Sequence, residues 1–172
     1  MSYAELQVTS NFSFLRGASR PEELVLQAQA LGLAAIAVTD RNTLAGIVRA
    51  HAAAKEAKLR FVVGARLDFT DAPSLLAYPT DRAAYGRLSQ MLTDGKMRAK
   101  KGECSLALAD LFAYGDGMRL VALPGAAPDA DIALHLKSLR RRFGRALYLA
   151  AHHLYRGDDA KRLARLGALA DS

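Results

Sequence analysis

The sequence holds one cysteine, Cys104, so no internal disulfide can form, and no Cys-x-x-Cys or His-x-x-x-His spacing surrounds it or the histidines His51 and His135. That pattern favours an ordinary core or loop thiol over a thiol catalyst. No window approaches the ~18 uninterrupted apolar residues that a membrane span requires, and Met1 to Thr9 lacks a cationic stretch followed by a long apolar run. A cytoplasmic chain with no membrane partner is therefore expected. Gly-x-Gly-x-x-Gly, Gly-x-x-x-x-Gly-Lys-Ser/Thr and Gly-x-Ser-x-Gly are all missing, which removes the support for dinucleotide binding, P-loop hydrolysis and serine hydrolysis. No linker, low-complexity tract or internal repeat divides the chain.

What is present describes one globular domain, residues 1–172, with 51% hydrophobic and 24% charged residues and a mean hydropathy near zero. Twenty-four Lys and Arg against 17 Asp and Glu give a formal charge of +7, which favours polyanionic partners without identifying one. An Arg bias in an Ala-rich composition accounts for part of this excess. The cations nevertheless cluster: Lys96, Arg98, Lys100 and Lys101 fall in one Gly-bounded stretch, and Arg140, Arg141 and Arg142 form a second run. Each run reads either as a phosphate-contacting surface or as a solvated loop and helix end.

Apolar runs of strand length alternate with helical patterns, the signature of β/α units and a mainly parallel sheet. The expected strands are Ala4 to Thr9, Ala34 to Thr39, Phe61 to Phe69, Ser74 to Tyr78, Arg119 to Leu123 and Ala146 to Ala151. Ser19-Arg20-Pro21-Glu22 predicts a capped helix start with Leu24, Ala28 and Leu31 as its apolar stripe. A second helix from about Leu44 to Ala57 would turn Ile47, Val48 and Ala52 inward, and Thr80 would cap a third beginning at Asp81 with Tyr85, Leu88 and Leu92 as its stripe. Asp110 to Tyr114, Ala130 to Arg142 and Asp158 to Leu169 supply the remaining helical pieces. A closed β/α barrel takes roughly 250 residues, so the chain reads as an open or incomplete α/β barrel that lacks its C-terminal part. Such a piece is expected to be marginally stable or self-associating.

In such a fold, chemistry belongs at the carboxyl ends of the strands. Those positions offer Gln7, Thr9, Ser10 and Asn11; Thr39, Asp40, Arg41 and Asn42; Arg66 and Asp68; Pro124 and Gly125; and His152 and His153. A divalent metal wants imidazoles and carboxylates converging from several strands. Asp40 is the only carboxylate in the first two strand-end loops, and Arg41 and Arg66 would repel a dication. His152 and His153, adjacent on a strand, point to opposite faces and cannot chelate one ion.

The blocks Ala4 to Ser19, Ile36 to Gly46, Val62 to Arg66 and Tyr78 to Leu88, with the Lys96 to Glu103 stretch, resemble the polymerase-and-histidinol-phosphatase (PHP) domain. The resemblance is nearest to that domain at the N-terminus of bacterial error-prone DNA polymerases, relatives of the DNA polymerase III alpha subunit. It implies a distorted seven-stranded β/α barrel whose active members hold a metal cluster with His-x-His on the first strand, Asp-His after the second and Glu on the third. Gln7 and Thr9 stand where the first pair would be, Arg41 where the histidine would follow Asp40, and Arg66 where the glutamate would be. Of these five positions only Asp40 matches the family pattern, and the four departures imply a degenerate site in a segment with no metal, no catalytic residue and no cofactor. Mg2+ is expected only in the polymerase palm, which is not in this sequence. The resemblance implies a scaffold or docking domain of a translesion polymerase acting in replication and damage-tolerant repair. Its partners would be the remainder of the polymerase chain, accessory translesion proteins, and DNA through Lys96, Arg98, Lys100 and Lys101. A metal-dependent phosphoesterase and a free-standing basic nucleic-acid-binding module are the alternatives. An Arg66–Asp40 ion pair would replace the metal at the barrel mouth.

Overall fold

A computed structural model describes residues 3–125, 130–153 and 155–171. Among these, seven strands and six α-helices follow one another in the order β1 (Ala4–Val8), α1 (Pro21–Ala30), β2 (Ala35–Val38), α2 (Ile47–Glu56), β3 (Arg60–Val63), β4 (Ala65–Leu67), β5 (Leu75–Pro79), α3 (Arg82–Met97), α4 (Leu108–Tyr114), β6 (Met118–Ala122), α5 (Ala130–Phe143), β7 (Leu147–Leu149) and α6 (Asp159–Asp171). β1, β2 and β3 pair in parallel, with Ala35 to Val38 buried along their whole length as a central parallel strand requires. The second sheet runs β4-β5-β6-β7.

The run from Phe61 to Phe69, expected as one strand, breaks at Gly64 into β3 and β4. β3 pairs with β2, whereas β4 pairs with β5. The mainly parallel expectation needs refinement here, because β5 runs antiparallel to both β4 and β6, and only β6 and β7 restore parallel pairing. A bridge between Arg41 and Arg66 links the two sheets. β1 and β7 are the outer strands, and no ladder joins them among the described residues.

Three apolar clusters hold the layers together. Val25, Ala28, Ile47, Ala50 and Ala54 of α1 and α2 cover Ile36 and Val38. Leu88, Met91 and Leu92 of α3, with Leu111 and Leu139, cover β4 to β6. Ala37, Leu76, Tyr78 and Leu123 fill the interior between the sheets. Tyr78 donates its hydroxyl to the Leu6 carbonyl at 2.7 Å, tying β5 to β1 across that interior.

The helices correct several details of the sequence reading. In α2, Val48 is 73% exposed and Ala52 is also exposed, while Ile47, Ala50 and Ala54 face inward. In α1 the capping position is Arg20, not Ser19: the Arg20 backbone N–H donates to Glu23 at 2.8 Å, Val25 and Ala28 are buried, and Leu31 is exposed. The buried faces are Pro21, Val25 and Ala28 in α1 and Ile47, Ala50 and Ala54 in α2, and the apolar neighbours Leu24 and Val48 sit one position away from them. For α3 the apolar stripe holds, but the capping residue is Asp81 and not Thr80. Asp81 accepts from the Ala84 N–H at 2.7 Å, and Leu88 and Leu92 are buried.

Candidate functional site at the strand ends

The carboxyl ends of β1, β2 and β4 converge as the resemblance implies, but their polar groups are engaged with one another. Asp40 is 1% exposed. Its Oδ1 accepts from the Ser10 N–H at 2.8 Å and the Ser13 hydroxyl at 2.6 Å, and its Oδ2 accepts from the Ser10 hydroxyl at 2.6 Å. The Arg41 N–H donates in turn to the Ser13 hydroxyl at 3.0 Å. A Cβ added to Gly46 would sit 3.2 Å from Oδ2 and 3.0 Å from Phe12 and Pro21, so that side of the carboxylate is covered by packing as well. The Ser10 to Gly17 loop is folded tightly enough to deliver both hydroxyls, because the Ser13, Arg16 and Gly17 N–H groups all donate back within it.

The expected Arg66–Asp40 ion pair does not form. Arg66 Nε donates to Asp68 Oδ1 at 2.8 Å, and Arg41 pairs with Asp68 Oδ2, so one carboxylate just past the end of β4 gathers both guanidinium groups. Ser74 donates its hydroxyl to the same Asp68 Oδ1 at 2.6 Å and lies 3.2 Å from an Arg66 terminal nitrogen. The geometry follows from alternation along β4, where Arg66 and Asp68 share a face, and from the bridge that sets Arg41 beside Arg66. Asn42 completes the arrangement from the left-handed region at φ 50°, a conformation asparagine tolerates. Its amide oxygen accepts from the Asp68 N–H at 2.9 Å, while its own N–H donates to the Arg66 carbonyl at 2.8 Å.

Burial pushes the Asp68 carboxyl up, but the hydrogen bonds from Ser74, Arg66 and Arg41, with the Arg66 charge, outweigh it and hold the group below the usual carboxylate range. A depressed carboxyl stabilises the fold above its unfolded value of about 3.9, and that contribution is lost as pH falls through the folded value. Unfolding by urea at a series of pH values should therefore show stability dropping below about pH 4, and Asp68→Asn should flatten that drop while lowering stability at neutral pH. An unchanged acid limb in Asp68→Asn would show that the two arginines do not act through this carboxylate.

Of the remaining positions, Gln7 lines a cavity of about 410 Å³ together with Arg66, Ser74 and His152, and its Oε1 lies 3.4 Å from His152 Nε2. Thr9 is half-buried beyond the end of β1 and is not among the walls of that cavity. His153 turns the other way, 3.8 Å from Asp159. Cys104 is half-buried, its thiol pushed up by burial, in keeping with a packing role. Among the described residues no three His, Cys, Asp or Glu side chains are grouped as metal ligands would be, and no helix is long and apolar enough to cross a membrane.

The basic stretch at 96–101 is not the free loop its glycine and lysines suggest. Lys96 belongs to the last turn of α3, and Arg98 caps that helix and pairs with Asp110 at 2.7 Å. Lys96, Lys100 and Lys101 are exposed. Sequence reasoning did not foresee the roles of Ser10, Ser13, Asn42, Asp68 and Ser74. The Asp-Arg-Asn run was the one available signal, because asparagine after a strand end often supplies a left-handed turn.

The PHP domain profile matches residues 5–161. An error-prone DNA polymerase of Caulobacter vibrioides is 51% identical over 168 residues, which is 97% of this chain and 16% of that protein. Error-prone DNA polymerase 2 of Agrobacterium fabrum is 51% identical over 170 residues, 99% of this chain and again 16% of the relative. The chain thus spans about one sixth of the length of these curated relatives. Among solved structures, a candidate metal-dependent phosphoesterase from Bifidobacterium adolescentis aligns with a TM-score of 0.72 at 19% identity, covering 99% of this chain and 84% of that one. An amidohydrolase from Chromobacterium violaceum, bound to sulfate without metal, aligns with a TM-score of 0.72 at 17% identity, covering 96% and 83%.

Proposed function

This chain belongs to the PHP domain family, and on that premise we propose that it is the N-terminal PHP region of a cytoplasmic error-prone polymerase for damage-tolerant DNA synthesis, acting as a metal-free docking scaffold. The reading rests on what its own residues do with their lone pairs and protons. A metal cluster at this mouth would need several carboxylate and imidazole donors with free lone pairs. Asp40 instead receives three hydrogen bonds from Ser10 and Ser13. That engagement, three of the roughly four acceptor sites of a carboxylate that is 1% exposed, is the observation that carries the proposal. Gln7 and Thr9 offer a neutral amide and hydroxyl in place of imidazoles, and Arg41 and Arg66 bring two positive charges beside the position a dication would take.

The residues present therefore do not fit the metal that phosphoesterases of this fold use, and no hydrolytic step is assigned to them. Asp40 fastens the loop after β1 to the end of β2, and Asp68 fastens β2 to β4, so the mouth is held by hydrogen bonds and ion pairs. Such a domain offers the rest of a polymerase chain, and accessory translesion proteins, a rigid packing surface. Elemental analysis of the dialysed protein is expected to give well under one equivalent of zinc, manganese or iron per chain. A stoichiometric content of any of them would overturn the metal-free reading.

A further inference from the structure

The second basic run leads to a surface away from the barrel mouth. Arg142 leaves it: its guanidinium pairs with Asp116 at 2.7 Å and donates to the Phe112 carbonyl at 3.1 Å. The other two arginines border a groove of about 730 Å³ formed by α5, β7 and the C-terminal end of α6. Its α5 wall is Ala133, Leu136, Lys137, Arg140 and Arg141, a stripe at the i, i+3, i+4, i+7, i+8 spacing of one helix face and about 12 Å long. Its floor is Leu147 and Leu149, which alternation puts on one face of β7 and which, like Leu136, are half-buried against the core. Leu169 and Ala170 contribute the α6 wall, and Arg145 stands just before the floor. Lys137, Arg140, Arg141 and Arg145 are all exposed. No carboxylate lines the groove among the described residues, and Asp171, next to Ala170, is not one of its walls.

We propose that this groove docks an acidic amphipathic helix of a protein partner, with the apolar face of that helix on Leu136, Leu147 and Leu149 and its carboxylates on the four cations. Two properties select that occupant. The cations are not opposed by any lining carboxylate among the described residues, so the groove carries one sign of charge and complements an anionic partner. They are also gathered rather than strung out: Lys137, Arg140 and Arg141 fall within about one turn of α5, beside half-buried leucines. Such a cluster matches carboxylates that flank a compact apolar stripe, the arrangement that a helix presents when acidic residues border leucines at i, i+3 and i+4. Guanidinium groups suit it, because each can hold a carboxylate through two parallel hydrogen bonds. Arg140 is already oriented by a 2.8 Å hydrogen bond to the Gly144 carbonyl. The inference rests on the docking reading, to which it adds a surface and a partner chemistry. None of its residues lies at the strand-end mouth, so groove binding and metal content are tested separately.

The probe is a fluorescein-labelled peptide of about 14 residues, with leucine at i, i+3, i+4 and i+7 and glutamate at most other positions. It is titrated with the 172-residue protein at about 50 mM salt and followed by fluorescence anisotropy. Binding is expected, and exchanging the peptide's glutamates for glutamine or its leucines for serine should each weaken it by about tenfold or more, because the groove reads charge and apolar surface together. In the protein, the combined variant Lys137→Gln, Arg140→Gln, Arg141→Gln and Arg145→Gln is expected to lose about tenfold or more. A control of equal charge, Lys55→Gln, Lys96→Gln, Lys100→Gln and Lys101→Gln, should keep most of the affinity. Ala170→Glu puts a carboxylate into the groove wall and should weaken binding about fivefold, whereas Ala168→Glu, exposed on α6 outside the groove, should not. Circular dichroism confirms that each variant remains folded. Absence of peptide binding would overturn the proposal. Equal losses in the two Gln sets, or in the two Glu variants, would overturn it in favour of diffuse attraction by net charge. So would undiminished binding of the serine peptide, or tighter binding of oligothymidine than of the acidic peptide. A protein that is free of metal yet does not bind the peptide would lose this surface only, and the metal-free reading would stand.

Discussion

Replacing Asp40 with alanine is expected to lower the folding free energy by about 3–5 kcal/mol, a large share of the 5–15 kcal/mol that stabilises a typical domain. The effect follows from what the carboxylate satisfies. Ser10 is fully buried and Ser13 is 4% exposed, so the Ser10 N–H and the two hydroxyls would lose their acceptor in a place water does not reach. Each unsatisfied buried donor costs about 1–3 kcal/mol. Asn should cost less, because its amide oxygen can still accept at one of the two positions and its NH2 can donate to the Ser10 hydroxyl, which already accepts from the Phe12 N–H at 3.2 Å. Chemical denaturation of both variants measures the difference. A loss below ~1 kcal/mol in Asp40→Ala would mean that the carboxylate is not the acceptor that holds the Ser10 to Gly17 loop.

The second large effect is expected at Gly64, where β3 gives way to β4. A Cβ there would lie 2.8 Å from Tyr78 Cδ1, 2.9 Å from Tyr78 Cε1 and 2.9 Å from Thr39 Cγ2. Neither neighbour can easily give way: Thr39 is 1% exposed, and the Tyr78 ring is anchored at its far end by the hydroxyl bond to Leu6. Burial also pushes the Tyr78 phenol well above its ordinary value, so this bond persists through the accessible pH range. Gly64→Ala should destabilise by about 2–4 kcal/mol, combining overpacking with strain on the Leu6 bond. In a Tyr78→Leu background the same substitution should cost markedly less, since the obstructing ring is gone. Additive losses would show that Gly64 is needed for some reason other than room for Tyr78.

The order of elements was legible because buried strands such as Ala35 to Val38 are apolar on both faces and because Leu88 and Leu92 mark the buried side of α3, although its cap is Asp81 and not the neighbouring Thr80. The break at Gly64 was not, since Phe61 to Phe69 is continuous in apolar character and only the tertiary approach of Tyr78 reveals why a glycine stands there. At the mouth, the strand-end positions of Gln7, Thr9, Asp40, Arg41 and Arg66 could be read residue by residue, but the partners they take could not. Asp68 takes both arginines through strand alternation and a cross-sheet bridge, and Asp40 turns to serines from a folded loop. Both outcomes depend on distances between segments some thirty residues apart. The same limit applies to the Arg140 to Arg142 run, whose members part because successive helical positions face about 100° apart.

The central claim is that Asp40 and its neighbours form a closed hydrogen-bonded mouth with no metal affinity. Thermal unfolding with excess Mn2+, compared with unfolding in chelator, tests it most directly, because any ion bound only by the folded chain must raise its stability. The melting temperature is expected to be the same in both conditions. At a hundredfold excess over Kd a bound ion would contribute about 2.7 kcal/mol, several degrees for a domain of this size, and a rise of that magnitude would contradict the account.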